Sequence, residues 1–230
     1  AVRWMSSQHQ DTRHNEQGYW TWMDGVLRQP VTYLAGQPEA MTASTAFFSI
    51  PDGWTAPTAY GRRGGGTYIE SFRGALEHRP RYLQIHQFQE FTGALDGQGW
   101  GPLREGYGDT YSVELSDDVE PVSLTAPGYR GNGGWGFHYL NLTRALVDLY
   151  RQQTPQTTVV AISRPMHAQV VSGDTVELEW TWVGKAPSSF RISADGRTLS
   201  RVRAGTGAVE NRNDRAQFPS RSMSSRGPQT

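Results

Sequence analysis

The clearest hydrophobic pattern in the chain is helical. Tyr68, Ile69, Phe72 and Leu76 recur at three- and four-residue spacing after Gly64-Gly65-Gly66, and Pro80 stands just beyond them. That spacing predicts a helix that ends before the proline. A second helix is expected over about residues 136–151, where Phe137, Leu140, Leu142, Leu146, Leu149 and Tyr150 form a broad apolar face. Strand patterns surround both. Residues 3–7 form a short candidate, 42–50 are β-branched and aromatic, and 82–91 carry Leu83, Ile85, Phe88 and Phe91. This strand–helix–strand–helix order predicts α/β architecture with parallel strands.

The pattern changes after Pro155. Residues 157–162, 175–182 and 190–193 read as short strands, separated by Ser172-Gly173-Asp174, Val183-Gly184-Lys185 and Asp195-Gly196. Val176, Leu178 and Trp180 alternate with Thr175, Glu177, Glu179 and Thr181, as a strand with one buried face requires. The expectation is therefore an α/β region over residues 1–154 and a small antiparallel β-sandwich over 155–199. Residues 200–230 hold six Arg against two acids and few large apolar side chains. They read as a disordered basic tail, whose removal is expected to leave stability unchanged.

Composition narrows the function. No apolar run approaches the roughly 20 residues of a membrane span, and the formal net charge of +0 argues against a grip on nucleic acid or anionic lipid. Cysteine is absent, which removes disulfides, thiolate nucleophiles and cysteine zinc sites. Eight Trp, ten Tyr and eight Phe stand beside 26 Gly. That mixture suits glycine-rich loops that present aromatic platforms to flat, half-apolar ligands such as sugars. The chain opens at Ala1 without Met or signal peptide. The expectation is a secreted or bacterial periplasmic protein that has lost a signal sequence or a larger amino-terminal segment. A partial domain of this kind is expected to associate as an oligomer or to be held by a larger parent.

Candidate chemistry gathers around the third strand and its exit, Gln84-Ile85-His86-Gln87-Phe88-Gln89-Glu90-Phe91. Polar groups at the carboxyl end of a parallel strand sit where α/β enzymes keep their sites. Cleaving a glycosidic bond takes one carboxyl to donate a proton and another to attack or stabilise. Glu90 is the candidate donor, with Phe88 and Phe91 to desolvate it, and Asp24 and Glu120 are candidate partners. Trp20, Trp22, Trp100, Trp135, His86 and Gln87 are candidate sugar contacts. The competing structural reading makes Glu90 a solvated loop acid, His86 a hydrogen-bonded core residue and the Trp rings core.

No cofactor is expected. The acids Asp109, Glu114, Asp117, Asp118 and Glu120 offer hard oxygen ligands for Ca²⁺, although a solvated acidic loop is the simpler expectation. His9, Asp11, His14 and Glu16 have metal-ligand character, at a spacing that fits zinc poorly in this context. Gly64-Gly65-Gly66 lacks the Lys-Ser/Thr of a phosphate loop and reads as a flexible turn.

Phe88, Glu90 and Phe91, with Val119-Glu120-Pro121 downstream, carry a resemblance. They resemble the aromatic-x-Glu-aromatic strand end and the following Ile-Glu-Pro of (β/α)8 glycoside hydrolases of the endo-mannosidase-like kind. Gln89 stands where those families carry Asn, and Thr92-Gly93 where they carry a second acid. The resemblance implies the late strands of such a barrel, with Glu90 as general acid/base acting on a poly- or oligosaccharide. The segment after residue 155 likewise resembles the immunoglobulin- or fibronectin-like modules that follow such barrels. A non-catalytic carbohydrate-binding protein using the same aromatic loops is the alternative, and a structural module with all its aromatics buried is a third.

Overall fold

The computed structural model describes residues 29–46, 61–89, 94–95, 110–111, 116–125, 134–165, 171–172, 175–204 and 214–219. The protein is mixed α/β, with two helices among the described residues. Strands β1 (Thr32–Leu34) and β2 (Gln37–Ala43) form an antiparallel hairpin turned at Ala35-Gly36, and the helix α1 (Gly66–His78) then leads to β3 (Tyr82–Ile85). β3 pairs with β2 in parallel, from Ala40↔Tyr82 to Ala43↔Ile85. The expected parallel unit is therefore present. A closed barrel is not found among the described residues: the other edge of β2 is taken by the antiparallel β1 rather than by a parallel strand.

Short strands β4 (Ala94–Leu95) and β5 (Thr110–Tyr111) pair in parallel, and α2 follows (His138–Arg151). Beyond it come β6 (Thr158–Arg164), β7 (Thr175–Gly184), β8 (Ser189–Ala194), β9 (Arg197–Arg203) and β10 (Asp214–Pro219). β7 is central in an antiparallel sheet ordered β10-β7-β6, while β8 and β9 form a separate hairpin. The last strand lies in the segment expected as a disordered tail. Its six residues pair with Thr175 to Trp180 of β7, so backbone pairing overrides the polar composition that made this segment look unstructured.

The two faces of β7 are both covered. Trp180 packs with Ile192, Leu178, Phe190, Leu199 and Val202 under the β8–β9 hairpin, its ring 5.5 Å from that of Phe190 in an edge-on pair. The opposite face meets the helices. Val183, with Val159 and Ala161 of β6, shares a core with Tyr68, Ile69, Phe72, Leu142, Leu146 and Leu149. Glu179 and Thr181, polar positions expected on a solvent face, are buried. The hydrophobic core thus runs across the boundary expected near residue 155.

α1 is the centre of this arrangement. Every residue from Gly66 to Ala75 except Arg73 is buried, because β2 lies on one side and β6, β7 and α2 on others. So close a fit needs small residues. Gly64 has φ 62, and a Cβ there would lie 2.3 Å from the Ile162 carbonyl oxygen of β6. The glycine run is a packed left-handed turn rather than a flexible one. α1 ends at Arg79, which takes the left-handed conformation at φ 50 before Pro80 and donates to the Tyr150 carbonyl at 2.5 Å.

Two measurements test this packing. Gly64→Ala adds both backbone strain and a clash, and is expected to cost about 2–4 kcal/mol. Gly36→Ala, at φ 73 with nothing within 4 Å of the added Cβ, carries strain alone and is expected to cost about 1 kcal/mol in the same denaturant titration. Deleting residues 205–230 removes β10 from the edge of β7 and is expected to lower Tm by about 3 °C or more; an unchanged Tm would show that β10 adds nothing to the sheet.

Candidate functional site

The carboxyl ends of β2 and β3 converge on an acidic segment about 30 residues further along the chain. Past β3, the His86 amide donates to the Ala43 carbonyl at 2.8 Å and prolongs the parallel ladder. Phe88 offers its carbonyl to the amides of Val119 at 3.1 Å and Glu120 at 2.9 Å. Past β2, the Thr45 hydroxyl donates to the Asp117 carbonyl at 2.7 Å. Residues 116–120 are thereby fastened across the strand ends, where open and closed parallel sheets place their ligands.

Side chains complete the cluster. His86 Nε2 lies 2.9 Å from Asp117 Oδ2, and both residues are buried. Gln87 donates from Nε2 to Asp118 Oδ1 at 3.4 Å, and its backbone is left-handed at φ 56. Arg62 is fully buried, donating to the Ser116 carbonyl through Nε and to the Asp118 carbonyl at 2.6 Å. Its guanidinium carbon stands 3.8 Å from the Trp135 ring centre and 4.1 Å from that of Tyr139. Such desolvated cation–π contacts are each worth about 2 kcal/mol.

The electrostatic outcome is clearest at Asp118. Burial pushes its carboxyl up to about 7, and the charges of Asp117 and Glu120 push the same way. The Arg62 charge and the Gln87 hydrogen bond oppose them without winning. A carboxyl that keeps its proton near neutral pH is the requirement for general acid chemistry.

Several expectations change here. The 116–118 segment is not a solvated acidic loop: Asp117 and Asp118 are both buried, because strand ends, Thr45 and Arg62 enclose them. Trp135 is 2 % exposed and donates its Nε1 hydrogen to the Glu120 carbonyl at 2.6 Å. It packs with Val119 and Tyr139 in a small core and offers no open face to a sugar. His86 contacts Asp117 inside the protein, and Gln87, half-buried, holds Asp118. Glu120 is half-exposed and anchored through both its backbone groups. Glu90, Asp24, Trp20, Trp22 and Trp100 lie outside the described residues, as do His9, Asp11, His14 and Glu16. No group of three or more His, Asp or Glu side chains among the described residues could hold a metal ion, and no described helix is long and apolar enough to cross a membrane.

Sequence reasoning missed Arg62 and misread Asp117-Asp118. Arg62 carries no motif, and only the position of Ser-Asp-Asp beside a Val and a Pro hints that those acids lie against something.

The raised Asp118 has a thermodynamic consequence. Its folded affinity for a proton exceeds that of the unfolded chain, so its contribution to stability is present below about pH 4 and is lost as pH rises through about 7. Asp118→Asn is expected to flatten the fall of Tm between about pH 5 and 8 and to raise Tm at the alkaline end. Thermal melts across that window, with identical slopes for both proteins, would show that Asp118 does not titrate there. No family model, curated protein or solved structure matches the chain, and the chemistry of this cluster rests on its own residues.

Proposed function

We propose that the protein is a glycoside hydrolase that cleaves a poly- or oligosaccharide by carboxylate acid/base catalysis at the carboxyl ends of β2 and β3. The observation that carries this reading is Asp118, a carboxyl raised to about 7 within a cluster of acids at the ends of parallel strands. A second observation supports it. The two segments that carry the sequence resemblance, the exit of β3 and Val119-Glu120-Pro121, are tied together through the Phe88 carbonyl. In this reading β2, α1 and β3 form the parallel unit whose strand ends carry the site, and β6 and β7 close the core behind it.

Glu90, five residues after β3 in the sequence, donates the proton as the resemblance implies, and Glu120 is the second carboxyl. Asp118 is a positioning residue: as it ionises near pH 7 it adds a negative charge to the cluster, which raises the proton affinity of a carboxyl beside it. His86 and Gln87 keep Asp117 and Asp118 in place. No metal or cofactor enters this scheme.

The test is hydrolysis of a polysaccharide panel with product analysis. Glu90→Gln is expected to lower turnover at least about 10²-fold while oligosaccharide binding persists. Asp118→Asn is expected to retain activity and to move the alkaline limb of the kcat/KM profile to lower pH. In the parent, ionising Asp118 adds a negative charge that helps the donor keep its proton; the variant lacks that charge. Binding without turnover in the parent protein would favour the alternative, a carbohydrate-binding protein.

A further inference from the structure

We propose that the solvent face of the β8–β9 hairpin binds an acidic polysaccharide, a chain whose sugars carry carboxylates. That the ligand is a sugar chain rests on the carbohydrate reading above, whose substrate class it names. That it is anionic rests on the hairpin itself.

The strand register decides which side chains share that face. Ser189 pairs with Arg203, Arg191 with Arg201, and Ser193 with Thr198. Phe190, Ile192 and Val202 alternate with them and pack inward on Trp180, as does Leu199 at the point where the register shifts. The outward face is therefore a ladder of three rungs, about 7 Å apart along the strands and about 5 Å across. All six of its side chains can donate hydrogen bonds, and none is acidic or apolar. The packed inner side makes it a fixed surface rather than a free loop.

Charge is what sets this face apart. Arg191 and Arg201 stand directly opposite each other, a pairing of like charges that weakens a hairpin, and Arg203 adds a third cation one rung along. Residues 189–203 contain one acid, Asp195, and it lies in the turn. All three arginines are exposed, and none makes an ion pair or side-chain hydrogen bond among the described residues. By contrast, the exposed Arg151 and Arg164 lie beside Asp148 and Glu177. In a chain of net charge +0, so local an excess of cations attracts an anion, whose charge relieves the repulsion between the strands. Guanidinium forks seat carboxylates through paired hydrogen bonds, and Ser189, Ser193 and Thr198 offer partners for the hydroxyls of the same sugars. The face carries no aromatic ring for nucleic-acid bases to stack on and no apolar side chain to enter a lipid surface.

Arg197 supplies the control, since it is exposed on the same hairpin but pairs with Ala194, one position on from Ser193 and so on the opposite side. Binding of polygalacturonate, neutral mannan and oligothymidylate is measured by calorimetry at low and raised salt. The proteins are the parent, the double variant Arg191→Gln/Arg201→Gln and Arg197→Gln, each with its melting curve and each assayed for cleavage of both polysaccharides. The parent is expected to bind polygalacturonate, less tightly as salt rises. The double variant is expected to bind it about tenfold more weakly, with a Tm that is unchanged or higher because the opposed charges are gone. Arg197→Gln is expected to bind as the parent does. Equal affinity of the parent and the double variant for polygalacturonate overturns the arginine face, and tighter binding of oligothymidylate by the parent makes nucleic acid the ligand and overturns the polysaccharide. Cleavage of mannan without affinity for polygalacturonate removes the face and leaves the hydrolase reading standing. Arginine-dependent binding without cleavage of either polysaccharide leaves the face standing and removes the hydrolase.

Discussion

The arrangement depends on one buried cation. Arg62 has no exposure to water, and a guanidinium removed from water is costly unless its hydrogens and charge are matched. The match comes from separate segments of the chain. The carbonyls of Ser116 and Asp118 accept its hydrogens, and the Trp135 and Tyr139 rings lie against its face. Because Arg62 sits two residues before Gly64, it also sets the path of the chain into α1. A single side chain thus holds the start of one helix, the approach to the other and the acidic segment between them. A lysine could carry the charge but not the planar fork that reaches two carbonyls while stacking between rings.

That anchoring makes the chemistry of the acids intelligible. Asp117 and Asp118 are consecutive carboxyls buried together, an arrangement that cannot hold two full negative charges cheaply. His86 answers one of them at 2.9 Å, and the other keeps its proton to about pH 7. Arg62 directs its hydrogens to backbone carbonyls rather than neutralising Asp118 outright, which leaves room for that carboxyl to stay protonated. Structural support and proton affinity come from the same few contacts.

What could be read in the sequence divides along physical lines. Both helices follow from spacing alone, since Tyr68, Ile69 and Phe72, and Leu142, Leu146 and Leu149, face the shared core as their periodicity implies. The parallel pairing of β2 and β3 follows from element order. Glu179 and Thr181 show where pattern fails: their polarity marks a solvent face, but α1 covers it, and contact between elements so distant in the chain leaves no local trace. β10 was hidden for a similar reason, because its pairing is a backbone property of β7's open edge. At the site, the motif drew attention to the strand exit at His86 and Gln87 and to Glu120, but not to the backbone link that joins them through the Phe88 carbonyl. The burial of Asp117 and Asp118 was not legible either, because it depends on Arg62, which has no signature of its own.

The enclosure of α1 also bears on how the chain is made. The helix is flanked on one side by β2, which the ribosome delivers first, and on another by β6 and β7, completed only at Gly184. During synthesis its second face stays uncovered while everything from β3 to β7 is still being added, so the amino-terminal unit has no finished state of its own to wait in. A nascent chain halted before β7 presents Ile69, Phe72 and Leu146 to whatever is near, which is the kind of surface that chaperones hold. The protein is therefore built to mature as a whole, and a module cut from it near residue 155 would leave each fragment with an unfinished half of a shared core.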